Sequence, residues 1–248
     1  MDEHTSHLIF TDGSSLGNPG PGGWGTVLVL VGGRIIEMGG GEEHTTNNRM
    51  EMMALIQGLT RLANESGDLI IYLDSSYVEK GATEWIHGWI KRKWKTIAKK
   101  DVENRDLWEV LHLLLDARKK FGHITWVHVP GHSGVKGNER ADEIATGFAA
   151  EQEIELFEGD LGDYALDILN IAIDENIAAK RSAARSHSRM KAYSYLSLVG
   201  GVANRHSTWA ECEKRIKGKP GVKYKKAVSL DDEKTILLSW GASLPNSH

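Results

Sequence analysis

The sequence predicts an α/β protein: a five-stranded mixed sheet flanked by helices, followed by a small α/β module. Three observations predict it. Three short apolar, β-branched segments follow one another near the start, separated by glycine-rich turns. Segments with helical apolar spacing then alternate with two further apolar strands up to about residue 150. After that the composition changes abruptly, first to an acidic stretch and then to a basic one.

The elements follow in order. Leu8 to Thr11 reads as a strand ending at Asp12, and the Gly/Pro-rich run from Gly13 to Gly23 as a turn. Trp24 to Val31 and Arg34 to Met38 read as strands, with Gly32-Gly33 as the hairpin turn between them. Thr46 or Asn47 can cap a helix to about Asn64, with Met50, Met53, Ala54 and Leu55 supplying its apolar face. Leu69 to Leu73 is a strand ending at Asp74. Helices over Thr83 to Trp94 and Glu103 to Phe121 flank a basic segment, and Ile124 to Val129 is the fifth strand. Gly131 to Gly137 reads as a loop and Asn138 to Ala150 as a helix. Beyond it, Leu161, Ala165, Ile168, Leu169 and Ala172 have helical spacing, which predicts a connecting helix. The organisation is therefore a domain over 1–150, an acidic helical linker over 151–189, and a compact module over 190–248.

The 248 residues are 40% hydrophobic and 26% charged, ordinary values for a soluble globular protein. One cysteine, Cys212, excludes an intramolecular disulfide and fits a reducing compartment. No apolar run is long enough to span a bilayer, and the acidic start MDEHTSHLIF lacks a secretory signal's basic and apolar regions. A cytoplasmic protein is expected, with no obligate protein partner. The net charge of −4 suits a small-molecule enzyme better than a nucleic-acid binder, but it averages opposed blocks. Glu151 to Glu175 contains no Lys or Arg, whereas Lys180 to Lys226 contains only Glu211 and Glu213 as acids. Lys91, Arg92, Lys93, Lys95, Lys99 and Lys100 form a second basic cluster. Blocks of charge create local fields that the net value hides.

Asp12 and Asp74 end predicted strands, Glu51 lies early in a helix, and Asp142 lies in the helix that closes the domain. Strand ends are where α/β sheets present ligand groups, and hard oxygen donors suit Mg²⁺ or Mn²⁺. Any one such acid is more often a solvated residue or a helix cap. The flanking motifs are more specific: T-D-G-S-S-L-G-N-P-G-P-G-G-W-G after the first strand, T-T-N-N-R-M-E around Glu51, Y-L-D-S-S-Y-V around Asp74, and W-V-H-V-P-G-H-S-G-V-K-G-N-E-R-A-D through His132 to Asp142. In this order and spacing, residues 7–150 resemble the type 1 ribonuclease H family. The resemblance implies a ribonuclease H-like fold and an endonuclease that hydrolyses the RNA strand of RNA–DNA hybrids. Asp12, Glu51, Asp74 and Asp142 would hold two Mg²⁺ ions (Mn²⁺ as a substitute) and leave 5′-phosphate and 3′-hydroxyl products. His132, in the glycine-flanked G-H-S-G loop, would serve proton transfer or product release. A junction resolvase or integrase on the same carboxylate fold, or a hybrid-binding protein with a dead site, is the alternative reading. The N-P-G-P-G-G turn, T-T-N-N-R-M-E and the basic handle argue against the first, and the presence of all four carboxylates against the second.

The resemblance also implies substrate contacts. Asn18, Asn47 and Asn48 would line the minor groove of the hybrid, where an amide can both donate to and accept from a 2′-hydroxyl. Thr46 and Asn104 match positions that hold a DNA phosphate. The run from Trp85 to Lys100 interleaves tryptophans with Lys and Arg, resembling a basic protrusion that grips DNA, with Tyr77, Trp85 and Trp89 lining a channel. Its bland reading is an amphipathic helix packed by its tryptophans. Two departures stand out: Ser76 where members often carry a larger side chain, and His44 near a position that is commonly basic.

The C-terminal module carries Y-S-Y-L-S-L-V-G-G and then S-T-W-A-E-C-E-K-R-I-K-G-K-P-G-V-K-Y-K-K. It resembles the small hybrid-binding domain usually found at the N-terminus of eukaryotic type 1 ribonucleases H. That likeness implies stacking of Trp209 and Tyr224 on DNA sugars and phosphate contacts from Lys225 and Lys226. Val199-Gly-Gly-Val-Ala203 stands where a basic loop is expected.

Overall fold

The computed structural model describes residues 5–130, 133–172 and 191–243, which fall into two compact units, Met1–Ala178 and Ala179–His248. In the first unit the elements run β1 (Ser6–Ser15), β2 (Gly20–Val29), β3 (Arg34–Thr45), α1 (Asn47–Arg61), β4 (Asp68–Leu73), α2 (Ser76–Lys80), α3 (Ile86–Lys91), α4 (Arg105–Arg118), β5 (Ile124–His128), α5 (Lys136–Ala149) and β6 (Glu158–Asp160). One π-helical turn, Gly81–Trp85, joins α2 to α3. The sheet order is β5-β4-β1-β2-β3-β6. The β1-β2-β3 meander is antiparallel, while β4 and β5 run parallel to β1.

Strand β1 is buried on both faces because helices cover both sides of the sheet. Alternation sends neighbouring side chains to opposite layers. Ile9 joins Leu28, Leu55, Leu59, Leu69, Ile71 and Trp108 on the α1/α4 side. Phe10 joins Val27, Val29, Tyr72 and Ile144 on the α5 side, stacking on Tyr72 with ring centroids 4.7 Å apart. Each of these fully buried side chains contributes roughly 1.5–3 kcal/mol relative to exposure.

The sheet has six strands among the described residues, one more than expected, and the sixth corrects the reading of the acidic linker. Glu158–Asp160 pairs antiparallel with Arg34–Ile36, and a single 3₁₀ turn follows over Leu161–Asp163. No α-helix occurs among the described residues of this stretch; residues 173–189 lie outside them. Gly159 and Gly162 are poor helix formers. Of the apolar residues that suggested a helix, Leu161 and Ile168 are seated on the α5-side core beside Phe157 and Tyr164, whereas Leu169 is exposed.

The glycine-rich run is also more regular than a turn. β1 continues through Ser15 and β2 begins at Gly20. The glycines are needed for close approach. A Cβ on Gly25 would collide with the carbonyl oxygen of Ala141, so α5 can lie against β2 only because that position has no side chain.

The second unit contains β7 (Ser194–Val199), β8 (Val202–His206), α6 (Trp209–Ile216), β9 (Lys223–Ala227) and α7 (Leu230–Ser239). Its antiparallel sheet has the order β8-β7-β9. Gly200 and Gly201, with φ of 58° and 81°, make the two-residue hairpin turn that positive φ demands. A capping box between Thr208 and Glu211 starts α6, and Ser229 caps α7. Leu196, Ala203, Ala227, Ile236 and Leu237 form the core, beside which buried Glu233 accepts from Ser194 and pairs with Arg205 at 3.0 Å.

Gly25→Ala should cost about 1–3 kcal/mol in urea denaturation, as overpacking does, because α5 must retreat. An unchanged midpoint would show that this contact is not needed.

Candidate active site

Four carboxylates converge from four elements. Asp12 lies within β1, opposite Gly25 of β2, and not at the strand's end as expected. The parallel register that pairs Thr11 with Leu73 brings Asp12 alongside Asp74, which directly follows β4. Glu51 lies in the second turn of α1, brought in by another missing side chain. A Cβ on Gly13 would collide with the backbone nitrogen of Glu51. Carboxylate oxygens of Asp12, Glu51 and Asp74 all lie within 4.8 Å of one another. Asp142, on α5, stands outside that trio but close enough for its charge to act on Asp12.

This crowding has an electrostatic consequence. Burial, then the charges of Asp74 and Asp142, push the Asp12 carboxyl up to about 8 despite the hydrogen bond it accepts from the Gly13 N–H at 2.7 Å. Burial, then Asp12 and Asp74, also raise Glu51 well above the usual carboxylate range. Burial raises Asp142 in turn, opposed by the Thr146 hydroxyl. Asn47 donates from Nδ2 to Glu51 Oε1 at 3.2 Å, whereas the buried Glu51 Oε2 has no hydrogen-bond partner.

The expected substrate residues fall around this trio. Thr46 is the residue before α1 and makes no side-chain cap bond; Asn47 and Asn48 open the helix. Asn18 is exposed in the turn between β1 and β2, preceding a cis proline. His132 lies outside the described residues. In the same segment, Ser133 Oγ and Asn138 Oδ1 are buried without a partner. Asn138 lies within the quoted motif but sequence reasoning gave it no role.

Tyr77, Trp85 and Trp89 form one aromatic run with Trp108, with ring centroids 6.2, 5.7, 5.3 and 5.4 Å apart around the circuit. Both readings of this segment apply: Tyr77, Trp89 and Trp94 pack against the core, and Trp85 is exposed. The Tyr77 oxygen accepts from Asn104 Nδ2 at 3.2 Å and from Trp108 Nε1 at 3.0 Å, and its proton faces the Glu103 carbonyl at 3.4 Å. Its hydroxyl is thus occupied in holding Asn104, whose φ of 56° is left-handed. Trp108, fully buried, is the hub that sequence reasoning missed; it lies in one core with Leu107, Leu111 and Leu115. Lys91, Arg92, Lys93, Lys95, Lys99 and Lys100 are all exposed.

In the second unit, Trp209 and Tyr224 are 41% and 55% exposed although their rings pack together at 5.5 Å. Tyr195, missed in the sequence, extends the row at 5.8 Å from Trp209. The register pairs Tyr224 with Ser197 and Lys226 with Tyr195, so Lys226 shares the aromatic face. Lys225 pairs with Leu196 and therefore points to the other face.

Residues 4–150 match the family model described as RNase H. A ribonuclease H of Cupriavidus metallidurans is 55% identical over 137 residues, covering 55% of this chain and 90% of that protein. A ribonuclease H of Cyanothece is 49% identical over 150 residues, covering 60% and 92%. Among solved structures, LC9-RNase H1, described as a type 1 RNase H with the type 2 active-site motif, superposes with a TM-score of 0.53 at 28% identity, covering 66% of this chain and 82% of that one. The foamy viral protease-reverse transcriptase in complex with RNA/DNA hybrid shares the fold alone, with a TM-score of 0.51 at 21% identity over 59% of this chain and 20% of that one. With its four carboxylates brought together on this fold, the chain belongs to the ribonuclease H family.

Proposed function

We infer that residues 4–150 form a metal-dependent endonuclease that hydrolyses the RNA strand of RNA–DNA hybrids, with Asp12, Glu51, Asp74 and Asp142 as its metal ligands. The carrying observation is the trio of carboxylates with oxygens within 4.8 Å of one another. Three acids so close, two of them buried, repel one another unless protonated or bound to a cation. Glu51 Oε2, buried and without a partner, is the kind of orphaned acceptor a cation satisfies. An all-oxygen donor set favours Mg²⁺, with Mn²⁺ as a substitute. Held there, two such ions would ionise the attacking water and take up charge on the leaving 3′ oxygen, giving 5′-phosphate and 3′-hydroxyl products.

The chain's own groups supply orientation. The Gly13 N–H holds Asp12, and Asn47 holds Glu51. One Asn47 N–H is engaged with Glu51, which orients the amide, and its Oδ1 would accept a 2′-hydroxyl proton, which only the RNA strand offers. Asn18 and Asn48 would line the same minor groove. Thr46 and Asn104 would hold a DNA phosphate, Asn104 being fixed by Tyr77. His132 would move a proton at product release. The exposed Lys/Arg cluster, with Trp85 and Trp89, would grip the DNA strand through sequence-independent phosphate contacts.

The second unit fits an auxiliary hybrid-binding role. An exposed Trp209–Tyr224 pair with Lys226 on its own face suits sugar stacking beside a phosphate. Lys225 would reach a phosphate around the open edge of β9. The reading places the protein in the cytoplasm; among the described residues no helix is long and apolar enough to cross a membrane.

Asp74→Asn should abolish Mg²⁺-dependent cleavage of a labelled hybrid and leave hybrid binding in a gel-shift assay nearly intact; retained cleavage would refute the ligand assignment. Trp209→Ala should weaken binding to long hybrids by about 1–3 kcal/mol, as loss of one stacked base does, without lowering kcat. Unchanged affinity would remove the second unit from substrate binding. Asp12→Asn tests the crowding. The folded-state pKa of Asp12 lies above its ordinary 3.8, so folding takes up a proton. The metal-free protein therefore loses stability as pH rises from about 4 through about 8. The substitution should raise metal-free stability at neutral pH by roughly 1–3 kcal/mol, flatten that decline, and remove most of the Tm gain on adding Mg²⁺. Lower metal-free stability in the variant would contradict the repulsion.

A further inference from the structure

The family match ends at residue 150, yet the chain beyond it remains part of the first unit. Its attachment centres on Glu37, an acid on β3 whose side chain is 1% exposed. Glu37 accepts four hydrogen bonds. Arg140 on α5 donates from Nε and Nη2, both at 2.8 Å. The Phe157 N–H donates at 2.9 Å and the Tyr164 hydroxyl at 2.6 Å. Arg140 Nη2 also donates to the Glu155 carbonyl at 2.7 Å, and the Glu37 N–H to the Phe157 carbonyl at 2.8 Å. Ile154 then packs on α5 at Gly147, where a Cβ would collide with it. The segment 154–164 thus straps α5 to β3 through one buried, fully bonded carboxylate.

Arg140 lies two residues from Asp142 on the same helix. Asp142 stands outside the tight trio and is carried by α5, with the Thr146 hydroxyl 3.5 Å from its carboxylate. Its place relative to Asp12 therefore follows where α5 lies as a body. On one side α5 is set by its contact with Gly25, and on the other by the Arg140–Glu37–strap network.

We propose that residues 154–164 are a positioning element of the catalytic unit, holding α5 so that Asp142 stays in register with Asp12, Glu51 and Asp74 for metal binding. The proposal rests on the metal-site reading above. It makes the functional unit longer than the family match, with Tyr164, Phe157 and Glu37 acting through Asp142 and not on substrate.

The test is calorimetric titration of MnCl₂ into the full-length protein without nucleic acid. The Phe157→Ala/Tyr164→Phe double variant should bind Mn²⁺ on the order of 10-fold more weakly, the low end of what losing an outer support of a metal site costs. Glu158→Gln, which alters only the exposed pair with Arg34 at 2.6 Å on the same strap, should bind like the wild type. Equal affinity of a folded double variant and the wild type overturns the proposal. So does an equal loss in Glu158→Gln, which would report general loosening. Should the double variant fail to fold, Tyr164→Phe alone decides: it keeps the ring packed on Phe157 and removes one bond to Glu37, and unchanged affinity overturns the positioning role. A wild type that binds no Mn²⁺ refutes the metal-site reading itself.

Discussion

The rest of the catalytic unit is arranged around the mutual repulsion of carboxylates held in a space too small and too dry for their charges. Asp12, Glu51 and Asp74 would not collect spontaneously, since burial and like charge both oppose ionisation of Asp12 and Glu51. Something else in the fold must hold them together until a cation offsets the cost. Core packing does so. Two hydrophobic layers fix α1 and α5 against the sheet, and the glycines at 13 and 25 let those helices approach closely enough to deliver Glu51 and Asp142. The site's energy is thus supplied by residues that never touch substrate.

Orientation at the site follows the same economy. The two buried acids of the trio are each steadied by one donor: Asp12 by a backbone N–H, Glu51 by Asn47. More donors would lower the pKa values and leave less for a cation to satisfy. Glu37 shows the contrast within one domain. It is equally buried, but donors from Arg140, Tyr164 and Phe157 outweigh burial and hold its carboxyl below the usual range. One carboxylate is saturated and structural; the other keeps an oxygen with no partner and is available to a ligand.

Much of this was readable in the chain. The order of strands and helices up to Ala149 follows from period-2 and helical spacing, and the carboxylates were found from their motifs. What was not readable depends on contacts distant in sequence. Leu161, Ile168 and their neighbours have a helix-like spacing, but their partners on β3 and α5 select a strand and a 3₁₀ turn. Nothing local to Trp108 reveals that its Nε1 meets Tyr77. The pair of Lys225 and Lys226 looked equivalent, and only the register of β9 against β7 separates them by face. Asp12 was expected at the end of its strand because glycine suggested a turn, whereas Gly13 here serves close approach.

The charge distribution poses the remaining question, since a chain of net charge −4 must engage a polyanion. Phosphates respond to the field within about a Debye length, roughly 8–10 Å in cellular salt, and not to the molecular total. Among the 34 Asp and Glu residues, two groups bear on this. Those of the site are crowded, so that a cation would neutralise them. Those of the strap lie at the β6 edge of the sheet, with Glu37 already paired to Arg140. Meanwhile the Lys/Arg cluster beyond α3 stays exposed. An overall negative charge is therefore compatible with nucleic-acid binding, provided the acids are segregated from the surfaces that meet phosphate. It also discourages non-specific adhesion to duplexes elsewhere on the molecule, leaving the cluster and the metal site to determine where a hybrid is held.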